Sequence, residues 1–510
     1  MSTIRNNIIA NYSGKAWAAV INLACIPFYI KYMGMEAYGL VGFFATLQPF
    51  LIILDMGLSP TVNRELARYS VLPGNEGKMR DVVRTLEVFY WGMAVFIGII
   101  LVVATPAIST SWLKANSLPR AKIQQAVLLM GMSLVLQWPV GYYAGGLRGL
   151  QRQVLLNAMN SILWTIRGLG AVLLVVYSSD KLLAFFGWQL AMSLLNVLTI
   201  GLLLWKSVHW APGAARFDSG ILKSVWRLAF GMGAAAVTIL LFNQMDKVIL
   251  SRQISLSAFG YYSLAWQVVG GLFLFYFPIY SAFYPAITQA ISQGDREELV
   301  NIYHKGCQLM SVSVLPVAAV IFFFSRDLLY LWTRDIAAAD QCYLILSLLI
   351  GGAAFNGMFC MPYAVRQAAG SMRRLLQIFI PSLIIFSVLL VVVVSRYGMA
   401  GAALLFSVFS IFQVGIATYK THTDLLPGEH GKWCIEDLGK PLIASVVTAG
   451  IGRWIVGEGM IGVKGLIAIC LIFLVSFLSA ACATATTRQL AREYSRRLVV
   501  IWGRSSSTKA

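Results

Sequence analysis

Three basic side chains stand where an apolar chain tolerates them least. Lys15, Arg167 and Lys247 each lie inside or at the end of a run long and apolar enough to cross a bilayer. An ionised group in mid-run costs about 2.5–3.5 kcal/mol on insertion scales, so each must meet water, a partner or a headgroup. A cation kept in a membrane hollow is a binding group for anions. Lys15 shares a helix face with Asn11 and Asn22, since at about 100° per residue the three fall within roughly 40° of one another. This stripe either lines a cavity with Lys15 as an anion contact, or Lys15 snorkels to the inner headgroups. Arg167 is close to mid-span, with Asn160 on the same face; it either contacts an anionic substrate or bonds to helix carbonyls within its own bundle.

The seventh apolar run ends in Asn243-Gln244-Met245-Asp246-Lys247, where Asn243 shares a face with Asp246 and Lys247. Two readings stand. Asp246 is a proton- or sodium-coupling carboxylate beside a substrate-contacting amine, or the two charges form an ion pair that closes the helix end. Asp55 is likewise a coupling or gating carboxylate, or a cap and partner for Arg64. Gln48, Gln137 and Gln267 are mid-span amides that bond either sugar hydroxyls or neighbouring helices, and polarity alone does not separate the two.

The elements that must hold these groups follow from composition. At 58% hydrophobic, 12% charged and mean hydropathy +0.74, the chain lies outside soluble globular composition and belongs in a bilayer. At roughly 20 residues per crossing, the apolar runs predict about fourteen transmembrane helices. The net charge of +19 is biased toward alternate loops. Arg64, Arg68, Lys78, Arg80 and Arg84, then Arg366, Arg373 and Arg374, then Arg488, Arg492, Arg496 and Arg497 mark one side. By the positive-inside rule that side is the cytoplasm, which places both termini inside and removes nucleic acid as the reason for the charge.

Much else is excluded. The cysteines form no CxxC pair and the four histidines are scattered over loops, so no metal site is visible and no cofactor is expected. There is no phosphate-cradling glycine loop, and no outer loop carries an acidic pair or histidine cluster, so an enzyme is not expected.

Landmarks recur at one fixed separation. Ala37-Tyr38-Gly39-Leu40 returns as Ala258-Phe259-Gly260-Tyr261, and Tyr142 with Gly149 returns as Tyr363 with Gly370. The loop Gly74-Asn75-Glu76-Gly77 returns, one residue out of step, as Gly294-Asp295-Arg296-Glu297. An internal repeat of this size predicts two six-helix bundles facing each other across a cavity that opens to either side. The expected layout is an N-lobe over 1–206, a cytoplasmic linker over 207–227, a C-lobe over 228–420, a second linker over 421–437, two further spans over 438–484 and a basic interfacial tail over 485–510.

The run Pro27 to Gly57, with Gly34-Met35-Glu36-Ala37-Tyr38-Gly39 and the closing Leu54-Asp55-Met56-Gly57-Leu58, resembles the opening of polysaccharide biosynthesis flippases of the Wzx type. Asp246-Lys247-Val248-Ile249-Leu250 followed by Phe259-Gly260-Tyr261-Tyr262 resembles the start of their second half. The resemblance implies an all-α polytopic fold like that of multidrug and toxin extrusion transporters and lipid II flippases, a V of two lobes. It implies a bacterial inner membrane protein that moves undecaprenyl-diphosphate-linked oligosaccharide, such as an O-antigen unit, through a cationic cavity. It also implies a proton or sodium counter-ion, and a glycan polymerase and chain-length regulator as partners. Fourteen helices depart from the twelve usual in that family. The alternatives are an ion-coupled multidrug antiporter, a lipid II flippase and a membrane glycan polymerase.

Overall fold

The structure is a computed structural model that describes residues 2–55, 57–72, 74–208, 215–220, 223, 234–457, 459 and 462–489. For residues 2–10, 12, 52 and 234–236 it describes the backbone alone. Most of the expected 207–227 linker and the tail from residue 490 onward therefore lie outside the described residues. Contacts divide the chain into two compact units, Met1–Ser263 and Leu264–Ala510.

The first unit is built of α1 (Ser2–Met33), α2 (Met35–Leu47), α3 (Phe50–Asp55), α4 (Leu58–Tyr69), α5 (Glu76–Ala107), α6 (Arg120–Gly149), α7 (Gln153–Tyr177), α8 (Lys181–Ser207), α9 (Ala234–Gln253) and the start of α10 (Leu256–Gly270). The second expected span is broken into α2, α3 and α4. Pro49 removes one backbone donor after Leu47, and Gly57 takes a left-handed φ of 84° that a side-chain-bearing residue adopts only with strain. Helix α1 packs along α7, while α6 sits among α4, α5 and α8. Their core holds Leu58, Val62, Leu86, Tyr90, Tyr142 and Ile200, all fully buried.

The two copies of the repeated motif touch. A Cβ on Gly260 would lie 2.6 Å from the Met35 carbonyl oxygen and 3.2 Å from the Gly39 nitrogen, and one on Gly39 would collide with the Leu256 carbonyl. Glycine is required at both positions because backbone lies against backbone there.

The second unit holds the rest of α10, then α11 (Phe273–Gln293), α12 (Arg296–Thr333), α13 (Ile336–Met358), α14 (Cys360–Ala368), α15 (Met372–Leu425), α16 (Lys440–Val456) and α17 (Val463–Ala483). Between α15 and α16 one helical turn, His430–Lys432, runs into a π-helix, Trp433–Gly439. Helix α15 has 54 residues, roughly 80 Å of helix and more than twice a hydrocarbon thickness, and it bends at Gly398, whose φ is 56°. Helix α12 is the centre of this unit, packed against α11, α13, α16 and α17.

Among the described residues, 10 helices are long and apolar enough to cross a membrane. The other expected spans fall in the broken run Met35–Tyr69, in α9, in α15 beyond Gly398 and in the 17-residue α16. The chain is an all-α, multi-pass membrane protein.

Candidate functional site

Polar groups in the first unit converge on Ser193. This serine is fully buried on α8, and its hydroxyl donates to the Gln189 carbonyl at 2.7 Å. It accepts from Gln137 Nε2 of α6 at 3.0 Å and from an Arg167 Nη of α7 at 3.4 Å. Gln48, just past α2, reaches Gln137 Oε1 at 3.4 Å. Arg167 and the two glutamines, singled out separately in the sequence, thus form one chain of contacts across four segments. The residue that joins them was not expected, because a serine bonded to its own helix leaves no mark in an apolar run.

Arg167 is 8% exposed. The Trp164 ring lies 5.5 Å from its guanidinium carbon, and Trp188 Nε1 donates to its carbonyl at 3.0 Å. Among the described residues no carboxylate forms an ion pair with it. The other buried basic side chains differ: Arg366 pairs with Asp424 at 2.6 Å, and Lys247 lies 3.5 Å from Asp246. A desolvated guanidinium facing only neutral groups retains its capacity to bind an anion.

Asp246 on α9 is fully buried and accepts a 2.6 Å hydrogen bond from Tyr262 on α10. Lys247 also donates to the Asn243 carbonyl one turn back, and Asn243 Nδ2 donates to the Ile239 carbonyl at 2.8 Å. The expected proximity of the three is present, and Tyr262 is an unforeseen fourth member. It belongs to the quoted Phe259-Gly260-Tyr261-Tyr262 string, which was its only signal.

The α1 stripe is tied to α7 at one end. Asn11 Nδ2 donates to Gln153 Oε1 at 2.8 Å, and Asn157 Nδ2 donates to Asn11 Oδ1 at 2.5 Å. Lys15 and Asn22 are exposed, and Gln267 is half-buried on the part of α10 that lies in the second unit. Asp55 has Ser59 and Tyr90 as partners: it accepts from the Ser59 amide at 3.2 Å and hydroxyl at 2.7 Å, and from the Tyr90 phenol. By holding a free amide of the first α4 turn, Asp55 restarts the helix after the Gly57 break.

The structure matches "Lipid II flippase MurJ, inward closed conformation" with a TM-score of 0.69 at 13% identity, covering 93% of this chain and 98% of that one. It matches an inward-facing multidrug resistance MATE family transporter of the MOP superfamily with a TM-score of 0.65 at 14% identity, over 80% and 94%. At these identities the likeness is one of fold. The sequence profile described as "Polysaccharide biosynthesis protein" matches residues 4–291, and the one described as MatE matches residues 232–393. This chain belongs to the polysaccharide biosynthesis protein family. It is 25% identical to the Shigella flexneri "Putative O-antigen transporter" over 80% of this chain and 95% of that protein. It is 20% identical to the Bacillus subtilis "Uncharacterized membrane protein EpsK", over 71% and 72%.

Proposed function

We propose that this protein is a flippase that carries an undecaprenyl-diphosphate-linked oligosaccharide, an O-antigen or related surface glycan unit, across the bacterial inner membrane. The observation that carries the reading is Arg167, a buried cation with no carboxylate partner among the described residues. A diphosphate is an anion that a guanidinium binds, and a diphosphate-sugar head cannot cross hydrocarbon unaided, because burying even one unpaired charge is several kcal/mol uphill. Lys247 and Lys15 are further phosphate contacts on this reading. Asn11, Asn22, Asn243, Gln48 and Gln267 meet sugar hydroxyls, and Asp246 or Asp55 exchanges a coupling proton or sodium ion. The O-antigen transporter name carried by the Shigella relative supports the same cargo. Both termini face the cytoplasm, and the carrier hands its cargo to a glycan polymerase and chain-length regulator. No bond in the cargo is made or broken.

The test is surface glycan measured in cells whose chromosomal copy is replaced by Arg167→Ala or Arg167→Lys, at matched protein level. Alanine should abolish display and lysine should retain part of it. Normal display with alanine overturns the assignment of Arg167. Drug sensitivity in place of glycan loss would favour a multidrug antiporter.

A further inference from the structure

Far from Ser193 in the chain, α12 carries a second polar cluster that the proposed transport does not use. His304 is 4% exposed, and both of its ring nitrogens meet carboxylates: Nδ1 meets Asp437, and Nε2 meets Glu429 at 2.9 Å. One turn on, Gln308 Nε2 donates to the other oxygen of Asp437 at 2.9 Å. Its Oε1 accepts from the Thr486 amide, also at 2.9 Å.

The proton count is fixed by chemistry. A neutral imidazole has one N–H and one lone pair, so it can satisfy only one of two ionised carboxylates. The second contact requires one more proton, on the ring or on a carboxyl oxygen. Asp437 is fully buried, and burial pushes its carboxyl above the ordinary aspartate range, against the pull of His304. The other titratable groups near the ring are Tyr303 and Cys307 on α12, His422 on α15, and Lys432 and Cys434 on the connecting segment. Among them Lys432 opposes a charged ring.

Position gives the cluster its consequence. Asp437 stands just before α16 and Thr486 just after α17, so the helix pair is tied at both chain ends to one turn of α12 through His304 and Gln308. We infer that His304, Asp437 and Glu429 form a proton-binding site whose bound proton clasps the α16–α17 pair to α12. Loss of the proton sets a nitrogen lone pair against a carboxylate oxygen and releases the segment 429–439. The inference is independent of the cargo.

The test is amide hydrogen exchange by mass spectrometry on the full chain in lipid nanodiscs, corrected for the intrinsic rate, at about pH 6 and about pH 9, on either side of the ordinary imidazole value of about 6.5. Protection of residues 429–439 should fall roughly tenfold at the higher pH, a change of one decade in the opening constant. His304→Gln should exchange rapidly at both. Glu429→Gln decides the matter, because its amide N–H can donate to the lone pair of a neutral ring: the segment should stay protected at both pH values. A wild-type protein equally protected at both, or a Glu429→Gln variant as pH-sensitive as wild type, overturns the inference.

Discussion

Replacing Lys247 by methionine should destabilise the protein and replacing Arg167 should not, although on the proposed reading each change abolishes export. Both side chains are buried, at 8% and 9% exposure. Methionine in place of Arg167 forfeits the Trp164 contact at 5.5 Å, about 0.5–2 kcal/mol, and the long hydrogen bond to Ser193 at 3.4 Å, about 0.5–1.5 kcal/mol. It removes a desolvation penalty of several kcal/mol that, among the described residues, no carboxylate offsets. The free protein should therefore be unchanged or stabilised. Methionine in place of Lys247 takes the adjacent counter-charge from the fully buried Asp246, a loss of about 3–5 kcal/mol. The assay is the apparent melting temperature of the purified protein in one detergent, without cargo. If Arg167→Met melts as low as Lys247→Met, the guanidinium is satisfied within the fold and the case for an anionic ligand at that position fails.

Three further outcomes follow from single contacts. Tyr262→Phe deletes a 2.6 Å hydrogen bond to the buried Asp246 carboxyl group and opens no cavity; it should cost about 1.5–3 kcal/mol, read as a shift in the denaturation midpoint, and an unmoved midpoint would refute the stabilising role of that bond. Gly39→Ala drives a methyl group into the Leu256 backbone, which cannot yield as a side chain can; a loss of about 1–3 kcal/mol should appear as lower folded yield by size-exclusion chromatography. Asp180 caps α8 through the Leu183 amide and accepts from Lys122 at 2.8 Å, and the Lys122 ammonium holds its carboxyl below the ordinary aspartate range. Its stabilising effect is complete above the unfolded aspartate value of about 3.9 and is lost as pH falls through the lower folded value. Lys122→Gln should raise the pH at which the start of α8 loses exchange protection, and an unchanged acid profile would refute the pairing.

The sequence discloses the helices because a bilayer demands about 20 apolar residues per crossing and few segments meet that demand by accident. Proline alone does not mark a break: Pro49 falls at one, whereas Pro27 and Pro139 lie inside continuous helices. Lengths were less legible. Helix α5 continues past Thr105 into the π-turn Ile108–Trp112, where a polar string reads as loop. The site was legible one residue at a time: Arg167, Lys247 and Asp246 stand out because a membrane makes charge expensive. Their partners did not stand out. Ser193 and Tyr262 are residue types that an apolar helix carries at little cost. The meeting of His304 with Asp437 across a separation of 133 residues is tertiary, and no local pattern encodes it. Three of the four histidines, His304, His422 and His430, look scattered along the chain yet fall in the second unit, where His422 Nδ1 lies 3.0 Å from His430 Nδ1.

The pairing state of each buried charge carries more information than its presence. A guanidinium already held by a carboxylate, as Arg366 is by Asp424, is a structural cross-link, and cargo would have to displace an internal anion to use it. A guanidinium with no such partner binds an arriving diphosphate without that competition, but by the same reasoning releases it slowly. Lys247 lies between these limits. Its carboxylate neighbour is adjacent in sequence and only loosely placed at 3.5 Å, so on the proposed reading a phosphate could share the ammonium with Asp246 and leave when the carboxylate reclaims it. A carrier needs both kinds of cation, one to capture its cargo and one whose hold can be exchanged. On the proposed reading, a single strongly binding cation would trap the lipid head it is meant to pass on.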